Sequence, residues 1–148
     1  MSQDEKIAKK LIHTLENGKL GFETAAEKVA AERPDVAASF RRFAQERAAM
    51  SAELTNIAGA YGDDVEQRST VPGAIHRGWM AVKDALTSDD AAAVVNAAET
   101  GEDHAVEEYK EAVADGDISP EFRTLISAQL TKVQAGHDYV SGLAHALK

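Results

Sequence analysis

Ala98-Glu99-Thr100-Gly101-Glu102-Asp103-His104-Ala105-Val106-Glu107-Glu108-Tyr109 is the stretch that decides how this chain folds. Its small and apolar residues recur at the spacing of one face of an α-helix. With about 100° between successive residues, Val95, Ala98, Ala105, Val106, Tyr109 and Val113 form one stripe. Glu102 falls near the middle of that stripe, and Glu99 lies on its shoulder. A carboxylate aimed at a core is costly unless something pairs with it. The chain must therefore supply a partner for Glu102.

Composition narrows the setting. Apolar residues make up 44 % of the 148 residues but aromatics only 5 %, and alanine supplies much of the difference. That balance favours helices packed closely through small side chains, because alanine has the best helix propensity. The alternating Val, Ile, Thr and aromatic runs of a β-sandwich are missing. A chain of this length can bury the core of one domain, expected over residues 1–148. The formal net charge of −9 argues against nucleic acid and anionic membranes as partners, since both require clustered Lys and Arg. With no cysteine, disulfides, thiol nucleophiles and Cys-ligated clusters are excluded. The first residues lack the apolar run of a signal peptide, and no segment is long and apolar enough to span a bilayer, so a cytoplasmic protein is expected.

Four long helices follow from the pattern. Ser2 caps the first, with Glu5 as its capping-box partner, and the helix runs from about Asp4 to about Ala31 on a stripe of Ile7, Ala8, Leu11, Leu15, Gly18, Phe22, Ala25, Ala26 and Val29. Gly18 and Gly21 each cost up to ~1 kcal/mol in a helix interior. Either Asn17-Gly18 splits the segment, or Gly18 on the buried stripe makes room for a bulky neighbour. Pro34 bars the first helix from continuing, and Asp35 or Pro34 opens the second, which extends to about Tyr61 and ends at Gly62, a fitting C-cap. Its stripe is Val36, Phe40, Phe43, Ala44, Arg47, Met50, Ser51, Leu54, Ala58 and Tyr61. Arg47 is the intruder there. Polar residues 62–70 should form a loop, and Ala74–Leu86 a short amphipathic helix with Ile75, Trp79, Val82 and Leu86 on one side. Ser88-Asp89-Asp90 caps the third long helix, which ends near Ala114. Ser119 and Pro120 open the last, with a stripe of Phe122, Ile126, Gln129, Val133, His137, Val140, Ala144 and Leu147.

A tight turn, a long crossover carrying a short helix, and a second tight turn predict an all-α four-helix bundle. Its sense is up-down-down-up, with the second and third long helices parallel, as in ferritin-like folds. Counting along the helices at ~1.5 Å per residue brings Arg47, Glu102, Gly18 and the neighbourhood of Gln129 to one level, with Glu99 and His137 within about a turn. A buried polar layer of Arg47, Glu102, Gln129 and His137 is expected.

That layer has two readings. In one, Arg47 and Glu102 form an internal ion pair and Gln129 and His137 complete its hydrogen bonds. In the other, Glu99, Glu102 and His137 hold a divalent metal such as iron, manganese or zinc. Di-iron bundles supply a Glu from each of two helices and Glu-x-x-His from each of the other two. Here Gln134-Ala135-Gly136-His137 has Gln in the carboxylate position, and Glu46-Arg47-Ala48-Ala49 has Ala in the histidine position. Arg47 would also place a positive charge where the cations belong. His13, His76, His104 and His145 lie off the stripes or in the crossover. No nucleophilic triad, phosphate loop or zinc spacing is present. The balance of these features favours a non-enzymatic protein with no cofactor.

Leu20-Gly21-Phe22 with Ala25-Ala26-Glu27, Phe43-Ala44-Gln45-Glu46-Arg47 with Ala52-Glu53-Leu54, and His76-Arg77-Gly78-Trp79 follow one another along the chain. Glu99-Thr100-Gly101-Glu102-Asp103 with Tyr109, then Gln129 and His137-Asp138, complete the set. In order and spacing these segments resemble the uncharacterised bacterial four-helix-bundle proteins placed in the ferritin-like superfamily as a domain of unknown function. The resemblance implies a bacterial, cytoplasmic, ferritin-like bundle with no established activity. Its departures from the di-iron pattern imply that any ancestral metal centre is degenerate. Such a bundle would act through a partner protein or a second copy of itself, or, in the metal reading, as a metal-binding stress protein.

Overall fold

The structure is a computed structural model that describes residues 2–59 and 90–147. The described residues form four α-helices and no strand: α1 (Gln3–Val29), α2 (Pro34–Gly59), α3 (Ala91–Ala114) and α4 (Pro120–Ala146). The expected loop at 62–70, the short helix at 74–86, and the ends assigned to Tyr61, Gly62, Ser88 and Asp89 lie outside them.

Helix starts follow local chemistry. Ser2 accepts from the Glu5 backbone N–H, Asp90 from that of Ala92 and Ser119 from that of Phe122, each satisfying an amide that the first turn leaves without a helical partner. Pro120 follows Ser119 at the first helical position, where its missing N–H costs nothing. α1 runs unbroken through Gly18 and Gly21, so Asn17-Gly18 does not split it. Arg123 ties the end of α3 to α4: its Nη2 donates to the Asp115 carbonyl at 2.9 Å, and its Nη1 donates to that of Val113.

Helix α1 packs against α2 and α3, and α3 packs against α4. Gln3 Nε2 donates to Asp115 Oδ2 at 2.7 Å, and Lys10 meets Glu108 at 2.9 Å, which sets the start of α1 beside the end of α3. Asp4 accepts from the Ser119 amide at 2.8 Å and from its hydroxyl at 2.6 Å, fixing the start of α4 at the same end. Phe22 stacks on Phe40 and Phe43, with ring centroids 5.4 Å from each.

Among the described residues the core divides into two apolar clusters. One gathers Phe22, Val29, Val36, Phe40, Val94 and Val140 with their neighbours, and the other Leu11, Leu15, Met50, Leu54, Tyr109 and Ile126 with theirs. Each fully buried Phe, Leu or Ile in them contributes about 1.5–3 kcal/mol. Every helix crosses from one cluster to the other at a matching place. The crossing falls at Gly18 between Leu15 and Phe22, at Arg47 between Ala44 and Met50, at Glu102 between Ala98 and Ala105, and at Gly136 between Val133 and Val140. Among the described residues the two clusters are thus separated by a layer that holds Gly18, Gly136 and the charged Arg47 and Glu102, with Asn17, Gly21 and Gly101 buried beside them.

Candidate functional site

Within that layer Arg47 meets Glu102 end to end. Nη1 donates to Oε2 at 2.9 Å and Nη2 to Oε1 at 2.5 Å, the parallel two-bond geometry in which guanidinium and carboxylate match. Both side chains are wholly withdrawn from solvent. Burial alone would pull the Arg47 pKa down, but the touching Glu102 carboxylate outweighs it and holds the guanidinium above its ordinary value. The Arg47 Cζ lies 5.3 Å from the centre of the Phe22 ring, whose negative face offsets part of the lost hydration. Among the described residues Arg47 Nε finds no hydrogen-bond partner, and a buried donor left without one costs about 1–3 kcal/mol.

Glycine makes this arrangement fit. A Cβ on Gly18 would stand 3.2 Å from Arg47 Nη1. A Cβ on Gly136 would stand 3.0 Å from both Arg47 Nη2 and Glu102 Oε1, with the Phe43 ring behind at 3.7 Å. The missing side chains of α1 and α4 are the space into which the pair is packed. The expectation that Gly18 makes room for a bulky neighbour is met, and the neighbour is Arg47.

The fourth helix contributes differently from expectation. Gly136 occupies the position assigned to His137, because the buried residues of α4 run Phe122, Ile126, Gln129, Val133, Gly136, Val140 and Ala144. His137 lies one residue round the helix and is only half-buried. Its Nε2 meets Asp103 Oδ1 at 2.7 Å and its Nδ1 meets Asp138 Oδ1 at 3.2 Å. His137 therefore does not belong to the buried layer.

Gln129 is buried but sits lower. It accepts from the Tyr109 hydroxyl at 2.7 Å and donates to the Met50 carbonyl and to Glu53 Oε1, each at 3.2 Å. Tyr109 is two turns from Glu102, so Gln129 forms a second polar link about 10 Å from the ion pair. Its depth differs from the expected level because α4 extends about one turn further than α3 beyond the Tyr109–Gln129 link. Burial pushes the Tyr109 phenol pKa well up, which keeps the group a neutral donor.

Glu99 is half-buried on α3. Glu102 gives both oxygens to Arg47 and the His137 Nε2 faces Asp103, so Glu99, Glu102 and His137 do not converge as ligands. Among the described residues no three His, Asp or Glu side chains form a group that could hold a metal ion, and no helix is long and apolar enough to cross a membrane. Away from the layer, a groove of about 570 Å³ runs between α1 and α2, with Lys19, Glu23, Glu27 and Arg41 standing over Ala44 and Ala48.

A family model described as a domain of unknown function, DUF2383, matches residues 5–115. The chain belongs to the DUF2383 family. The matched region takes in Gly18, Arg47 and Glu102 of the layer and ends before α4, which brings Gly136. No curated protein and no solved structure matches the chain.

Sequence reasoning missed Gly136, Asp103 and Asp4. Gly136 carried a signal, since steps of three and four from Val133 and Val140 both reach it. The contacts of Asp103 and Asp4 are made across helices and have no local signature.

Proposed function

We propose that this DUF2383 member is a non-enzymatic, ferritin-like four-helix bundle whose buried Arg47–Glu102 layer is structural. One observation carries the reading: both Glu102 oxygens are spent on a guanidinium that stays charged at any ordinary pH. A carboxylate so engaged, with its charge matched by Arg47 and its side chain wholly withdrawn from solvent, presents no accessible oxygen to a cation or substrate. Its chemistry is to fix where the helices stand: sliding α2 or α3 by a turn would strand a charge, and sliding α1 or α4 would bring a side chain into the space that Gly18 or Gly136 leaves. The ferritin-like, up-down-down-up sense is supported by the pairings. As residue numbers rise on α1 they fall on α3, from Gln3 beside Asp115 to Lys10 beside Glu108, and on α2, from Glu16 beside Ser51 to Phe22 beside Phe43.

The working surface of such a scaffold is its outside, and a protein partner or a second copy is the class of ligand it would take. The net charge of −9 disfavours nucleic acid. Together with the resemblance to bacterial bundle proteins, the composition fits a role in the bacterial cytoplasm.

The rival is a divalent-metal protein using Glu99, Glu102 and His137. Elemental analysis of tag-free protein purified without chelator, with melting curves in added iron, manganese and zinc, separates the two. A site filled at a hundred times its Kd would stabilise the fold by ~2.7 kcal/mol, a rise of several degrees in Tm for a chain of this size. The structural reading expects no stoichiometric metal and no shift. Near-stoichiometric metal, with a thermal shift that Glu102→Gln abolishes, would overturn it.

A further inference from the structure

We propose that His137 is a pH-set clamp between α3 and α4, tight when its imidazole is charged and looser once it is neutral. Both ring nitrogens face carboxylates: Nε2 meets Asp103 of α3 at 2.7 Å, and Nδ1 meets Asp138 of α4 at 3.2 Å. A neutral imidazole carries one N–H and can donate to only one of them, whereas the imidazolium donates to both. Among the described residues the charged groups facing the ring are Asp103 from α3 and Asp138 from its own helix. Gln134, also beside the ring, is uncharged and donates to Asp138 at 3.0 Å.

Gln134 also shows what the ring does when it loses its proton. Its Nε2 lies 3.5 Å from His137 Nδ1, so a neutral ring keeps Nε2–H on Asp103 and turns Nδ1 into an acceptor from Gln134. The hydrogen-bonded frame survives, but the link across α3 and α4 drops from an ion pair to a neutral bond. The position gives this a consequence. His137 is next in the chain to Gly136, where a Cβ would stand 3.0 Å from both Arg47 Nη2 and Glu102 Oε1. The clamp therefore joins α3 to α4 one residue from the place where α4 packs on the buried pair. The direction of titration agrees: burial alone would lower the His137 pKa, but the hydrogen bonds and charges of Asp138 and Asp103 raise it above the ordinary value. The clamp's contribution is therefore fully present below the unfolded histidine pKa of about 6.5 and is lost as pH rises through the higher folded value.

Two measurements on the full chain test this. In an NMR titration, His137 should titrate above the ordinary histidine value, and Asp103→Asn should bring it down. In urea denaturation near pH 5 and near pH 9, the folding constant of the wild type relative to His137→Gln should fall about two- to fivefold from the lower pH to the higher, the range of an exposed ion pair. His137→Gln keeps an N–H donor for Asp103 and lacks the charge, so a purely structural role would give the same ratio at both pH values. That constant ratio, or a His137 titrating at or below the ordinary value, would overturn the proposal.

Discussion

Gly136→Ala is the substitution that interrogates the packing of the buried pair most closely. Its new Cβ would lie 3.0 Å from Arg47 Nη2 and 3.0 Å from Glu102 Oε1. Side-chain ends elsewhere could swing aside, but these two are locked to each other at 2.5 Å and fully buried, with Phe43 behind. The methyl must push α4 outward or spoil one of the two bonds. Overpacking of this kind costs about 1–3 kcal/mol, against a gain of up to ~1 kcal/mol from replacing Gly in a helix interior. Net destabilisation of about 1–2 kcal/mol is expected. The same helix supplies the control, because a Cβ on exposed Gly142 meets nothing within 4 Å. Gly142→Ala should therefore stabilise by up to ~1 kcal/mol. Urea denaturation with both variants measured side by side reads the difference. If Gly136→Ala were as stabilising as Gly142→Ala, the pair would not be packed against α4, and the account of the layer would fail.

Two smaller effects follow from the same geometry. Gly18→Ala brings a Cβ to 3.2 Å from a single atom, Arg47 Nη1, so its cost and its propensity gain should nearly cancel, leaving a change within ~1 kcal/mol in the same denaturation assay; a loss as large as that of Gly136→Ala would contradict the ranking. Tyr109→Phe removes the donor to Gln129 Oε1 and leaves that acceptor buried, which should lower stability by about 1–3 kcal/mol, and no loss in thermal or urea unfolding would mean that the link is not formed.

Much of this arrangement was legible because it is written in single helices. Ser2, Asp90 and Ser119 stand where short polar side chains cap a first turn, and Pro34 and Pro120 stand where a helix can begin without an N–H. Arg47 and Glu102 could be paired from sequence because each interrupts an apolar stripe at the same depth, and a buried charge needs its opposite. Gly18 was readable as space for the same reason. The last helix was harder. Steps of three and four both preserve a helical face, so Val133 leads as easily to His137 as to Gly136, and the periodicity alone does not choose between them. One position round the helix turned a buried ligand candidate into a half-exposed partner of Asp103. Gln129 was assigned to the right face but to the wrong level, because where α4 begins relative to α3 is set by tertiary contacts such as Asp4 with Ser119. Those contacts join the first turn of α1 to the start of α4, and no local pattern encodes them.

The central claim is that Arg47 and Glu102 serve each other and nothing else. A double-mutant cycle in urea tests it, using Arg47→Met, Glu102→Leu and the two combined. Each single change strands a fully buried charge and should cost about 3–5 kcal/mol, while the double change restores an apolar layer and should recover most of the loss or exceed the wild type. A double variant as unstable as the sum of the singles would contradict the account, since it would mean that the two side chains act independently and that the layer is held by something other than their pairing.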